Sequence, residues 1–199
     1  MPHPGAPEPS KRQPMTDEQI RAVTIGEIAP PARIALVEYD PAWPALYARE
    51  AARIRAALAD RVLLLEHVGS TSVPGLAAKA RIDVLLVVPD SADEPAYVPD
   101  LEAAGYVLHI REPDWFEHRM FNGPDTAVNL HVLSPGCTET ARMLRFRDHL
   151  RGNEADRRLY EHTKRALAGR VWTHGQNYAD AKSDVIDEIL ARATAGSDG

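Results

Sequence analysis

The stretch "EHVGSTSVPGLAAKARIDVLLVV", Glu66–Val88, decides how this chain folds and where its chemistry lies. Its last part, "RIDVLLVV" (Arg81–Val88), is a near-continuous apolar run, the pattern of a strand buried on both faces. One carboxylate, Asp83, interrupts it. "RVLLLEHV" (Arg61–Val68) predicts a second buried strand, stopped by Gly69. Strand alternation puts Asp83 on one face with Leu85 and Val87, opposite Ile82, Val84 and Leu86. A charged group on a buried strand is costly unless it is paired or bound to metal. Asp83 therefore has two explanations: an ion pair with a nearby arginine, or a place at the rim of a cleft.

The loop between the strands bears on that choice. Gly69 permits close backbone approach, and Ser70, Thr71 and Ser72 carry hydroxyls. Successive N–H groups in such a turn cradle phosphate, and Lys79 adds a cation for phosphate oxygens. The same residues, with Pro74 and Gly75, also suit an ordinary turn.

Outward from this segment, alternating helix and strand patterns fill the chain. "TDEQIRAVTIGEI" starts with Thr16 and Gln19 at capping-box spacing and predicts a short helix over 16–24. "PPARIALVEYD" reads as a strand. "DPAWPALYAREAARIRAALAD" reads as a helix with Asp40 as cap, Pro41 at its first position, and an apolar stripe through Trp43, Leu46, Tyr47, Ile54 and Leu58. "ADEPAYVPDLEAAG" predicts a helix closed at Gly105, followed by the strand "YVLHI". "WFEHRMF" and "TAVNLHVL" predict two further strands joined as a hairpin through "NGPD". The last third predicts three helices, "CTETARMLRFRDHLRG", "NEADRRLYEHTKRALAGR" and "QNYADAKSDVIDEILARA", with Thr138 and Asn153 as caps. The sum is an α+β domain with a mixed sheet and a helical C-terminal layer.

The 199 residues are 44% hydrophobic, enough for one domain with a sizeable core. We expect a Pro-rich disordered tail over 1–15, a single domain over 16–195 and a flexible terminus over 196–199. The formal net charge of -6 argues against a nucleic-acid footprint, which is a basic stripe. No window reaches the length of a membrane span. A single cysteine, Cys137, excludes an internal disulfide and points to the reducing cytoplasm. It stands in a turn before a helix, where a helix start lowers a thiol pKa, but no motif accompanies it and it reads as an incidental thiol.

The same stretch, Glu66–Val88, resembles the signature of the GrpB family, a branch of the nucleotidyltransferase-like superfamily. "VEYDPAWPALYAREAARI", "GY", "NLHVL", "RFRDHLR", "YEHTKRALA" and "YADAKSDVIDEIL" are similar to that family's blocks in the family's order, from Ile34 to Ala193. The resemblance implies a nucleotidyltransferase-like mixed β-sheet flanked by helices. In that superfamily a Gly-Ser turn follows the first sheet strand, an Asp-x-Asp pair stands on the next, and a third carboxylate stands on a later one. Together they hold divalent metal. Here Gly69 and Ser70 match the turn and Asp83 matches the second Asp. Arg81 holds the first Asp's position, and Asn129 and His131 stand where the third carboxylate is expected. Two metal ions about 3.5–4 Å apart need several bridging carboxylates, so a one-metal site, a metal-free site with cationic helpers and a binding-only site remain open. Glu66 helps only if its strand presents it to the same cleft.

Other polar groups extend the candidate set. His67, His131 and Asp83 are the residue types of a facial triad for a non-haem metal, without a local spacing motif. His131 reads better as a general base or a phosphate-orienting group. Arg119 and His118 share a predicted strand whose facing the sequence leaves open. Arg147 and Arg151 share a helix face and together suit an anion, or else pair with Asp148 and Glu154. Lys164 and Lys182 first read as solvated lysines. Tyr178 precedes Lys182 by four residues, so both face the same way.

The resulting expectation is a cytoplasmic protein that binds a nucleotide or other phosphorylated small molecule. Gly69, Ser70, Thr71 and Lys79 take the phosphate, joined by Arg119, Arg147 and Lys182. Asp83 holds Mg²⁺ or acts as base, and His131 assists. Beside it stand an inert nucleotide- or partner-binding module, since members of the family occur fused to dephospho-coenzyme A kinases, and reuse of the fold for other group transfer. The chain has no P-loop motif "GxxxxGK[ST]" of its own.

Overall fold

Residues 13–195 are described by the computed structural model; most of the predicted Pro-rich tail and the predicted flexible terminus lie outside that range. Thr16 and Gln19 form the predicted capping box at helix α1 (Asp17–Val23). The last residue assigned to the tail, Met15, is tied down: its N–H donates to Asp180 Oδ2 at 3.0 Å. The predicted strand "PPARIALVEYD" is largely irregular. Only β1 (Ala32–Arg33) is extended, and Val37 makes a lone bridge to Ala78. This segment lies away from the main sheet, so its alternating pattern finds no long edge to pair with. Helix α2 (Trp43–Leu58) starts later than expected. Its cap is Ala42, Pro44 stands in the first turn, and the Asp40 carboxylate accepts the Ala42 N–H at 2.8 Å just before the helix.

Then follow β2 (Leu64–Val68), a 3₁₀ turn (Ser70–Ser72), β3 (Ile82–Val87), α3 (Val98–Ala103), β4 (Val107–Glu112), β5 (His118–Asn122) and β6 (Val128–Leu133). The strands form one sheet in the order β2-β3-β6-β5-β4, in which β3 and β6 run parallel and the other neighbours antiparallel. The predicted β5–β6 hairpin is present. The helical layer is α4 (Thr138–Gly152), α5 (Glu154–Ala168), α6 (Gly175–Asp180) and α7 (Ser183–Ala195), with β7 (Val171–Trp172) between α5 and α6 pairing with β1. The last helix is thus two. The ladder tightens at Lys182, whose N–H bonds to the Ala179 carbonyl, and the chain turns there. Asn153 caps α5 by accepting the Asp156 N–H at 2.9 Å. Thr138 is not a cap, because Cys137 occupies that position without a side-chain bond.

The two faces of β3 divide the interior as alternation requires. Ile82, Val84 and Leu86 join the main core with Ile54, Leu58 and Leu101 from α2 and α3. Leu85 faces the other way, with Val68, Leu133 and the Met143 and Leu144 side chains of α4. A third cluster packs Val73 and Leu76, just past the 3₁₀ turn, against Leu150, Tyr160, Val185 and Ile189. Each fully buried aliphatic side chain contributes about 1.5–3 kcal/mol, so this third cluster fixes the turn to the helical layer. Among the described residues no helix is long and apolar enough to cross a membrane.

The main core also encloses Glu50, fully buried on α2. The Tyr106 hydroxyl donates to its Oε2 at 2.6 Å, and Arg53 Nη1 lies 3.1 Å from the same oxygen. Tyr106→Phe removes a donor from a buried carboxylate, which costs about 1–3 kcal/mol. Urea denaturation is expected to show a lower midpoint with an unchanged slope. An unchanged midpoint would show that Arg53 and Arg49 satisfy Glu50 without the hydroxyl.

Candidate functional site

The β2–β3 register pairs Val68 with Asp83, and this brings the next residue, Gly69, over the carboxylate. Gly69 has φ +68°, and a Cβ there would stand 2.2 Å from Asp83 Oδ2. The acid is therefore packed against a bare Cα, beside Ser70. Its side chain keeps 28% of its exposure, so it lies at a rim and not in the core. Asn129, its register partner on β6, donates Nδ2–H to Asp83 Oδ1 at 2.8 Å. Arg81 does not pair with Asp83. Its Nη1 donates to Asn129 Oδ1 at 3.0 Å, which turns the amide so that its N–H₂ faces the acid. Burial opposes the charge on Asp83, but the His131 and Asn129 contacts outweigh it and hold the carboxyl below its ordinary range.

Lysines surround this acid. Lys164, 2% exposed on α5, donates to Ser70 Oγ at 3.0 Å and to the Ala77 carbonyl. Tyr160, one turn earlier, also places its hydroxyl against Ser70. Lys182, at the α6–α7 turn, lies 4.5 Å from the Tyr178 ring centroid, the pairing expected from their spacing. Burial lowers the pKa of Lys182 to about 8, with Asp83 opposing the shift. Burial, then the charge of Lys182, lowers Lys164 to about 7. Lys79 is lowered by burial, then by Arg81 and Lys182. Asp83 acts electrostatically on all three lysines, joined by Glu161 at Lys164 and Asp180 at Lys182.

A chain of polar groups on the same sheet face reaches the acid from the β4 edge. Glu112 Oε2 lies 2.7 Å from His118 Nδ1, His118 Nε2 lies 3.0 Å from His131 Nδ1, and His131 Nε2 lies 3.8 Å from Asp83 Oδ1. Hydrogen bonds thus link Glu112 to His131, and His131 faces Asp83 at a longer, electrostatic distance.

The remaining expected residues stand elsewhere. The Thr71 hydroxyl is turned inward, donating to the Arg81 carbonyl at 3.2 Å and meeting His67 Nε2 at 3.0 Å. His67 pairs with Val84 and stacks on Tyr47 of α2, with ring centroids 4.8 Å apart. It faces the opposite side of the sheet from His131, so the facial triad does not form, and burial lowers His67 to about 4. Arg119 also faces away, paired with Glu94 and the Glu117 carbonyl. Arg147 fastens α4 to β2 through Glu66 Oε2 (2.7 Å) and the His67 carbonyl (3.0 Å), and pairs with Asp148. Glu66 shares the Asp83 face but is spent on that bond. Arg151 holds the Ser72 carbonyl at 2.9 Å, so it and Arg147 form no joint anion site. Burial pushes the Cys137 thiol up, which overrides the helix start.

The donor set decides how well a divalent ion fits. Mg²⁺ wants several oxygen ligands in octahedral order. One Asp83 oxygen is bonded to Asn129, and Lys79, Lys164 and Lys182 stand within electrostatic range of the acid. Among the described residues no three His, Cys, Asp or Glu side chains come together as a metal set. The residues present do not fit Mg²⁺. Two surface hollows of about 540 and 400 Å³ lie elsewhere, the larger beside the α6–α7 turn and the other along α5.

Comparisons place these features among known proteins. Residues 33–192 match the model of the family described as GrpB protein. A UPF0157 protein of Halalkalibacterium halodurans is 60% identical over 94% of this chain and 96% of its own. One of Streptomyces coelicolor is 46% identical over 81% of this chain and 85% of its own. A dephospho-CoA kinase of Mycolicibacterium paratuberculosis is 42% identical over 81% of this chain, which spans 46% of that protein. The crystal structure of a conserved protein GrpB from Enterococcus faecalis superposes with a TM-score of 0.70 at 30% identity, covering 83% of this chain and 100% of that one.

Proposed function

The chain belongs to the GrpB family, and from that premise we propose that it binds the phosphate of a nucleotide or other phosphorylated small molecule at the Ser70–Asp83 recess. The observation that carries this is the 3.0 Å contact of buried Lys164 with Ser70 Oγ, next to the Gly69 turn that packs on Asp83, with Lys79 and Lys182 within electrostatic range of that acid. Partly desolvated like charges repel and are costly without counter-charge. A bound phosphate supplies it. Ser70 lines the site, and the lysines take the phosphate and the charge that metal ions carry in related folds. Asp83, with His131 behind it, accepts the proton of an incoming hydroxyl when a group is transferred. The lone cysteine suits a cytoplasmic setting.

A second reading, a binding module that serves a phosphorylated substrate without turnover, is favoured by the likeness to part of a dephospho-CoA kinase. Calorimetry with ATP, ADP and dephospho-CoA, in EDTA and in Mg²⁺, tests both. Binding is expected in EDTA, and Lys182→Ala is expected to weaken it by about tenfold or more, as for loss of one charge-assisted contact. Turnover of a bound compound separates enzyme from module. If wild-type protein binds no phosphate compound under either condition, the recess is not a phosphate site.

A further inference from the structure

We propose that Ser70 is a nucleophile with Lys164 as its base, and that the phosphorylated ligand is an acyl phosphate whose acyl group passes to Ser70 Oγ. This rests on the recess binding phosphate, and adds to it the substrate class and the reacting atom.

The geometry is that of an activated hydroxyl. Ser70 is partly exposed at the end of β2, next to the exposed Gly69, while Lys164 is buried behind it. Nζ is fixed by two bonds, to the Ala77 carbonyl and to Ser70 Oγ at 3.0 Å. In the neutral amine one N–H keeps the carbonyl and the lone pair faces the serine hydroxyl, within general-base reach. The charged groups around Lys164 are Lys182 and Asp83 from other elements, and Glu161 and Arg165 on its own helix. Burial and Lys182 leave it near neutrality, so the free amine is well populated at cellular pH.

The acid selects the electrophile. Asp83 Oδ2 packs against Gly69, immediately before the nucleophile. Its charge repels an anionic phosphorus centre brought to Oγ, whereas an uncharged acyl carbon meets no such barrier. The phosphate is then the leaving group, received by Lys182 and Lys79. Oγ bonds to the carbonyl carbon as its proton passes to Lys164 Nζ. The bond from that carbon to the phosphate oxygen breaks, and the phosphate leaves with the electron pair. The Ser70 ester persists until a hydroxyl, amine or water takes the acyl group. Asp83, with His131 behind it, receives the acceptor's proton, and Lys164 returns its own to Oγ.

Acetyl phosphate is the probe. Full-length protein is incubated with it, then intact mass, peptide mapping and phosphate release are measured for wild type, Ser70→Ala and Lys164→Met. The expected result is an acetyl ester on Ser70, labile to hydroxylamine, or phosphate release that depends on Ser70. Ser70→Ala abolishes it, and Lys164→Met slows it by about 10²–10⁴-fold, the usual worth of a general base. Circular dichroism and melting of each variant verify folding, so a loss in a folded variant is a loss of chemistry. Acetyl groups on lysines alone, a phosphoryl group on Ser70, or equal Ser70 labelling in Lys164→Met would each overturn the proposal. If inorganic phosphate raises the wild-type melting temperature but no Ser70-dependent chemistry appears, the dyad fails and the phosphate recess stands. If both are absent, both fail.

Discussion

Gly69→Ala is expected to destabilise the protein and dismantle the recess in one step. At φ +68°, ψ -174° Gly69 occupies a backbone region essentially reserved for glycine, and an alanine there costs about 1–3 kcal/mol. Its methyl would also meet three atoms of Asp83, including Cβ at 2.9 Å, which a side-chain rotation cannot clear. The carboxylate must then leave Asn129, forfeiting a charge-assisted hydrogen bond of about 1.5–3 kcal/mol. The combined cost is about 3 kcal/mol, a fall in melting temperature of roughly 6–12 °C for a domain of this size. Scanning calorimetry reads the fall, and phosphate-dependent stabilisation should vanish with it. A variant that melts within a degree of wild type would mean that Asp83 does not lie against the turn.

The second large effect is a dependence of stability on pH that Lys164→Met abolishes. An unfolded lysine holds its proton up to about pH 10.4. In the folded protein Lys164 releases it near 7. Between those values the unfolded chain binds more protons, so stability rises with pH. Below the folded value both states are protonated and the whole penalty is present. A difference of this size is worth up to about 5 kcal/mol. Lys182, at about 8, acts in the same direction over a narrower window. Methionine removes the Lys164 penalty and forfeits the bond to the Ala77 carbonyl. The variant should gain about 2–4 kcal/mol at neutral pH, and the gain should disappear toward about pH 10. Denaturant titrations across that range measure it. Parallel pH profiles for the two proteins would show Lys164 to be solvated and charged throughout.

The sheet and the acid were legible because both depend on local pattern. The apolar run around Asp83 marks β3 whatever surrounds it, and alternation alone assigns the acid to the Leu85 face. The arginines were not legible. Whether Arg147 meets phosphate or Glu66 depends on how α4 lies across β2, and whether Arg119 faces the recess depends on the β5–β6 register. His67 and His131 were separated by the same kind of information: one pairs with Val84 and the other with Leu85, and that step of one residue puts them on opposite faces. Lys164 did leave a signal. It stands four residues after Tyr160 and three before Leu167, in phase with the buried face of α5. A lysine in register with an apolar stripe is buried or snorkels, and reading its helix by phase instead of composition would have singled it out. Glu112 and His118 gave no such signal, because their link to His131 crosses three strands.

The acid comes from the sheet and the hydroxyl from the turn after β2, whereas two of the three lysines, Lys164 on α5 and Lys182 at the α6–α7 turn, come from the helical layer. Mutual repulsion of those lysines opposes closure of the helical layer onto the sheet, and the apolar cluster from Val73 to Ile189 holds it shut. An anion trapped at the seam reverses the sign of the electrostatic contribution. Occupancy and closure are then linked equilibria: whatever tightens the seam raises affinity, and every bound anion slows amide exchange in α5 and α7.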